Sequence, residues 1–424
     1  MSSIQQSDPA IAQLIQGEYQ RQSQGMELIA SENYQSQAVL EAQSSIFANK
    51  YAEWFPGKRY YGGQEFTDQL EQVAIDRAKA LFHCDHANVQ GLSGAAANVA
   101  IYAWLMEPGD TILGMDLSHG WHLTHGSPVT FISKVYNFIR YKTKADGSID
   151  YDQIRKLAHE HHPKVILAGF SSYPRELNYS KFVEIANEVG AVTFADLSHI
   201  GWLIAWWALK NPFTEGFHVM MTTTHKSLRW PRWSLILSRG VVSNPLKKPE
   251  DSIENIPTRL DRAVFPGTQG GPHMNTIGAI AVALHEASTD EFKTYTTQVL
   301  SNAQVMAEEF LHYGYKLVTG WTDNHMVIID FSDKDFKGKE AEVTLDQIGI
   351  STSKSTIPDD PLPPYKPSGL RLGMQAMTTR WFKQSEVKQT ISFIHQALTH
   401  MHDQKFLNKL KTEVTDFCLH YPLP

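Results

Sequence analysis

Between residues 164 and 226 short apolar runs alternate with a helical pattern, and this alternation constrains the fold more than any other feature of the chain. Val165, Ile166 and Leu167 form one run, a helical pattern follows over 182–189, and a second apolar run occupies 191–195. A third run at 217–221 leads into Thr222, Thr223, Thr224, His225 and Lys226. Runs of this length, apolar without alternation, fit parallel strands buried on both faces, and a helix between two of them makes a β-α-β unit. Upstream, Ser93 and Gly94 open a helix that stops before Pro108 and Gly109. Long amphipathic helices at 276–287 and 291–311 and a strand near 325–331 predict a smaller α+β domain towards the C-terminus. We therefore expect an α/β chain with an N-terminal arm (1–50), a large domain (51–275) and a small C-terminal domain (276–424).

Length agrees, because 424 residues exceed what one core usually supports. A formal charge of −7 leaves no electrostatic footprint for nucleic acid. Two distant cysteines, Cys84 and Cys418, give neither a disulfide framework nor a zinc site, which fits a reducing cytosol. The polar first eighteen residues lack the blocks of a signal peptide. The most apolar stretch, 200–209, is far short of the roughly 20 residues that span a bilayer. No membrane association is expected, and the chain reads as cytoplasmic.

In open parallel sheets ligands sit at the carboxyl ends of strands, and two charged residues fall there, Asp196 and Lys226. An amine in a partly desolvated site can form a Schiff base, and an acid can keep a pyridine nitrogen protonated. A lysine and an aspartate on solvated loops would have the same spacing. The glycine-rich turn at Ser93 and Gly94 could bind a phosphate through helix N-terminal N–H groups, although alone it is a weak signal. His122 and His125 lack the acidic or thiol partners of a metal site, so no metal is expected. A flat imidazole can stack on a flat ring, or simply be structural. Arg371, after Gly369 and Leu370, offers a planar fork for a carboxylate, or is a surface arginine. Tyr51, Glu53, Tyr60 and Tyr61 gather phenols and a carboxylate suited to acid–base work.

Taken in order, ELIASEN (27–33), NKYAE (49–53), PGKRYYGG (56–63), HLTHGSP (122–128), TTTHK (222–226), FPGTQGGP (265–272) and TDNH (322–325) resemble the serine hydroxymethyltransferases along nearly the whole chain. The resemblance implies a fold-type I pyridoxal-phosphate transferase with a mixed, mostly parallel sheet. It also implies a homodimer with shared active sites. The reaction would move the serine hydroxymethyl group to tetrahydrofolate, giving glycine and methylenetetrahydrofolate. Carried over by position, Lys226 would hold the cofactor covalently, Asp196 its pyridine nitrogen and His122 its ring face. Ser93, Gly94 and Ala95, with the partner subunit's Gly270 and the partner subunit's Gly271, would cradle the phosphate. Ser171, His199 and His225 would hold other cofactor groups, and Thr223 would assist catalysis. Ser31 and Arg371 would bind the substrate carboxylate. Tyr51 and Glu53 would reach the substrate from the partner chain, with Glu53 handling the proton, while Tyr60, Tyr61, Leu117, Leu123 and Ser355 would line the substrate and folate side.

Some positions depart from the family pattern. Ala95 stands where serine is frequent in the phosphate loop, and Ser355 where asparagine commonly meets folate. Nine of the ten tryptophans (Trp54, Trp121, Trp202, Trp206, Trp207, Trp230, Trp233, Trp321 and Trp381) stand where the family, or close relatives of this sequence, would carry glycine. Tryptophan there should strain the backbone or overpack by about 1–3 kcal/mol each. One replacement type recurring nine times fits a codon that its own cell reads as glycine. Two other functions remain compatible with the residues, a folate-independent aldolase acting on β-hydroxy amino acids and an inactive scaffold that binds partners.

Overall fold

The central apolar runs form strands because both of their faces are covered. In the computed structural model, which describes residues 3–239 and 256–424, seven strands make one sheet: β1 (His86–Gly91), β2 (Thr111–Met115), β3 (Asn137–Tyr141), β4 (Val165–Ala168), β5 (Val192–Asp196), β6 (Val219–Thr223) and β7 (Ser234–Ser238). Their order is β1-β7-β6-β5-β4-β2-β3, and only β7 runs antiparallel to its neighbours. Every residue of β4, β5, β6 and β7 is buried. The parallel strands are those that the alternation predicts, and the sheet as a whole is the mixed, mostly parallel one that the resemblance implies.

Local chemistry sets the ends of the crossover helices. Helix α1 (Gly94–Leu105) begins at Ser93, whose hydroxyl accepts the Ala96 N–H. Helices α2 (Tyr151–His161) and α3 (Tyr179–Val189) start at Asp150 and Asn178, which cap Gln153 and Lys181 in the same way. An oxygen at this position satisfies one of the N–H groups that a helix leaves open. The apolar stretch at 200–209 contains a short buried helix, Gly201–Ala205. Among the described residues no helix is long and apolar enough to cross a membrane.

Contacts divide the chain into one unit over 35–297 and another made of 1–34 with 298–424. These limits differ from the 50 and 275 read from the sequence. Helix Met274–Glu286 packs on Glu65–Phe82 and Gln37–Gln43 within the first unit. In the second unit, Met26–Glu27 pairs in parallel with Ile350–Ser351. Arg380, fully buried, donates to the carbonyls of Gln22, Ser23 and Gly25 and to those of Cys418 and Tyr421. All five N–H donors of the guanidinium are thereby used, and one cation joins the N-terminal segment to the end of the chain.

The second unit has its own antiparallel sheet of β8 (Lys316–Leu317), β9 (Met326–Asp330), β10 (Ser353–Ser355) and β11 (Gly369–Gly373), ordered β10-β11-β9-β8. Val327, Ile329, Leu370 and Leu372 belong to the same core as Ile391, Ile394 and Leu407 from the last two helices. The proline-rich segment before β11 is organised by Asp360, which accepts from the Leu362 and Ser368 N–H groups and the Ser368 hydroxyl.

Strain is concentrated at three of the nine tryptophans. Trp54, Trp207 and Trp381 have φ of +77°, +56° and +69°. Two of them end helices by the same device. Trp207 N–H donates to Ile204 and Ala208 N–H to Leu203; Trp381 N–H donates to Thr378 and Phe382 N–H to Met377. This is the Schellman pattern, whose left-handed residue is usually glycine. The other six are not in the left-handed region, and Trp202, Trp230 and Trp233 are almost wholly buried, so the expected backbone strain does not extend to all nine. Trp381 is 73% exposed and gains little packing in return. We expect Trp381→Gly to stabilise the protein by about 1 kcal/mol, because the left-handed strain removed exceeds the small loss of exposed contact. Denaturant unfolding checks this; a lower midpoint for the glycine variant would contradict it.

Candidate active site

The carboxyl ends of β5 and β6 bring an anion and a cation into one buried pocket of residues. Asp196 closes β5 and is 8% exposed, and Lys226, three residues beyond β6, is equally buried. Asp196 Oδ1 accepts from the backbone N–H of Ser198 at 3.0 Å and from its hydroxyl at 2.5 Å. Oδ2 lies 2.8 Å from His125 Nε2 and 3.3 Å from Asn98 Nδ2. Burial pushes this carboxyl up, but the bond and charge of His125, the charge of Lys226 and the Ser198 hydroxyl outweigh it and hold Asp196 well below the usual carboxylate range. The acid is therefore ionised.

His125 is held from its other side as well, with Nδ1 2.7 Å from the Tyr102 hydroxyl. Burial, then the charge of Asp196, raise Tyr102 far above an ordinary phenol, so it keeps its proton. Asn98 and Tyr102 are four residues apart on α1 and lie on the same face. Residue-by-residue reading of the sequence weighed His125 as a metal ligand, a stacking ring or a structural histidine, not as a partner of Asp196, and passed over Asn98, Tyr102 and Ser198. The signal available was the i, i+4 pair of buried polar groups on an otherwise apolar helix.

His122 sits at the surface of this network. Its Nδ1 lies 2.7 Å from the Thr124 hydroxyl and 3.3 Å from the Thr124 N–H, and that hydroxyl accepts from Asn98. The loop is fixed by the turn at Gly120, whose carbonyl accepts from the N–H groups of Ser171 and Ser172. A Cβ at Gly120 would meet the Ser172 carbonyl oxygen at 2.3 Å, and φ is +112°, so only glycine fits. Leu117 begins the short turn before Gly120, and Leu123 is exposed beside His122.

The start of α1 faces the same residues. A Cβ on Gly94 would stand 2.6 Å from Thr223 Cγ2, so the helix N-terminus approaches β6 as closely as it does because residue 94 has no side chain. Thr223 donates through its hydroxyl to the Ser198 carbonyl. Ser93 already caps its helix, which leaves its hydroxyl hydrogen and the N–H groups of Gly94 and Ala95 for a ligand. His199, buried, accepts through its carbonyl from Ser227 beside Lys226. Burial first, then the charges of Lys226 and Arg232, pull His225 down to about 3, so it is neutral.

Tyr51, Glu53, Tyr61 and Gly271 form a separate patch on the same unit. The Tyr51 hydroxyl donates to Glu53 at 3.3 Å, and the Tyr51 and Tyr61 rings meet edge-on at 5.6 Å. A Cβ on Gly271 would lie 3.2 Å from the Tyr51 ring, and Gly270 is adjacent to Glu53. Tyr60 packs on Trp54 at 5.4 Å. All three tyrosines are more than half exposed. The charge of Glu53 raises the Tyr51 phenol, which keeps its proton.

Three expected site residues belong to the other unit. Arg371 lies on β11, where its Nε donates to the Ser353 hydroxyl at 3.3 Å, and burial lowers it to about 10, still cationic at neutral pH. Ser355 lies on β10 and is buried. Ser31 lies in the segment after Met26–Glu27 and is partly exposed.

A model of the family described as serine hydroxymethyltransferase matches residues 4–394, which cover most of both units and include every expected site residue. The chain belongs to the serine hydroxymethyltransferase family, pyridoxal-phosphate enzymes that interconvert serine and glycine with tetrahydrofolate as cosubstrate.

Proposed function

We propose that Lys226 is the covalent anchor for pyridoxal phosphate and that Asp196 and His122 hold the ring from its nitrogen edge and its face. The observation that carries this reading is the ionised, four-bonded Asp196 whose carboxylate feels the charge of Lys226. The donor set fits the cofactor. The N-terminus of α1, where Gly94 is half-buried and Ala95 exposed, offers helix N–H groups suited to a phosphate, and Ser171, His199 and His225 supply further polar groups. Ala95 removes one hydroxyl from that cradle and leaves its backbone donor.

When bound, pyridoxal phosphate supplies an electron sink for the pair released as the side-chain carbon of serine departs. Asp196 keeps a proton on the ring nitrogen, and it can do so because His125 keeps Asp196 ionised. His122 excludes water from one ring face. Arg371, with Ser31, binds the substrate carboxylate through its planar fork. Glu53 moves the proton of the serine hydroxyl, with Tyr51 and Tyr61 beside it and Thr223 next to the lysine. Tyr60, Leu117, Leu123 and Ser355 line the folate side. The exposure of the Tyr51 and Glu53 patch supports its use in trans in a homodimer, together with the partner subunit's Gly270 and the partner subunit's Gly271. We place the enzyme in the cytoplasm.

Lys226→Ala should leave the chain folded but abolish the visible band that the purified protein develops with pyridoxal phosphate; a band that persists in this variant would reject the anchor. His125→Asn removes a hydrogen bond to a charged group, worth about 1.5–3 kcal/mol, so cofactor affinity should fall about ten- to hundred-fold. The sign of its pH effect follows from Asp196. Because the folded carboxyl is depressed, binding that needs its charge is present at neutral pH and lost as pH falls, and the loss should begin at higher pH in the variant. Equilibrium titrations of the cofactor at several pH values would measure both effects, and parallel curves for the two proteins would count against the assignment.

A further inference from the structure

We propose that Arg229 is a positioning residue for Lys226, an inference that rests on Lys226 being the cofactor anchor. Residues 224–233 close on themselves. Arg229 N–H donates to the Lys226 carbonyl and Trp230 N–H to the Thr224 carbonyl, both at 3.1 Å, while Thr224 N–H donates to the Trp233 carbonyl and the Thr224 hydroxyl to Pro231. The turn that allows this places Arg229 at φ +59°, a left-handed conformation costly for any residue with a Cβ. Its side chain supplies the compensation. The guanidinium carbon lies 4.5 Å from the Tyr295 ring centroid and 5.3 Å from that of Phe292, neighbours on the first turns of helix Asp290–His312. A cation against two aromatic faces attracts them electrostatically, most strongly when partly desolvated, and Arg229 is partly buried. The stack therefore ties the strained turn to a long helix and fixes the backbone from which Lys226 projects. An unfixed turn would let the lysine amine sample positions away from Asp196.

The test compares Arg229→Ala, Arg229→Lys and Tyr295→Leu with the parent. Two readouts apply: hydrogen exchange of the Thr224 and Trp230 amides in cofactor-free protein, and the rate at which added pyridoxal phosphate develops its lysine-bound absorbance. We expect Arg229→Ala and Tyr295→Leu to exchange faster at both amides and to couple the cofactor about tenfold more slowly while reaching the same final absorbance, with Arg229→Lys in between. Parent-like exchange and coupling in both Arg229→Ala and Tyr295→Leu would overturn the proposal. A lower melting temperature with unchanged exchange at these two amides would also overturn it, since that is the signature of a general structural role. Failure of the anchor itself would show differently, as absorbance persisting in Lys226→Ala, and the exchange measurement still decides whether the clamp exists.

A separate observation carries a second inference. Tryptophan supplies ten of 424 residues but three of the eight described non-glycine residues at positive φ, two of them at Schellman positions. Such a bulky residue is a clear outlier there. We infer that the polypeptide made in its own cells carries glycine at positions 54, 207 and 381, through a codon those cells read as glycine. Peptide mass mapping of protein isolated from those cells should give the glycine masses at all three positions, and tryptophan masses would overturn the inference.

Discussion

An ionised carboxylate in a buried site is the constraint on which the rest of the large unit depends. Left alone, Asp196 would take up a proton rather than bear the cost of burial, and its use to a basic ring nitrogen would be lost. Four hydrogen bonds prevent this, and each imposes a requirement elsewhere. Helix α1 must turn Asn98 and Tyr102 inward. The loop after β2 must pass beneath that helix so that His125 reaches the carboxylate, which leaves His122, three residues earlier, at the surface. The same loop can turn only where Gly120 lets it meet Ser172. One buried anion thus specifies a helix face, a loop path and the placement of the ring that would cover the cofactor.

Parts of this arrangement are legible in the sequence for a physical reason. Strands β4, β5 and β6 are buried on both faces, so they read as unbroken apolar runs, and Asp196 and Lys226 follow from being the charged residues at their ends. Strand β1, at the edge of the sheet, is buried over 87–91 but reads as polar, because the amide groups of its buried Asn88 and Gln90 donate to Asp261 and Glu71, partners 173 and 19 positions away. His125 was hidden in the same way. Its meaning depends on Asp196, 71 positions later, and on a tyrosine whose hydroxyl is indistinguishable in sequence from that of any core aromatic. The unit boundaries were obscured too, since the arm segment Met26–Glu27 finds its strand partner more than 300 positions on. Local pattern reports burial well and reports who satisfies a buried polar group poorly.

The two carboxylates assigned to the chemistry differ in the way their tasks demand. Asp196 is enclosed, saturated and next to a cation, so its charge is fixed throughout a reaction; it can orient a proton but is poorly suited to carrying one away. Glu53 has a single phenolic hydroxyl on one oxygen and stands among exposed tyrosines, where protons can arrive and leave. Environments that separate two acids in this way also separate their roles. The same logic accounts for where the chain tolerates strain. Left-handed backbone at Arg229 lies on the turn whose N–H meets the Lys226 carbonyl, where a fixed lysine is of use and an aromatic stack is at hand to hold it. At Trp381 the same conformation has no neighbouring chemistry and little packing, so function offers no reason for the side chain there, and the backbone alone argues for glycine.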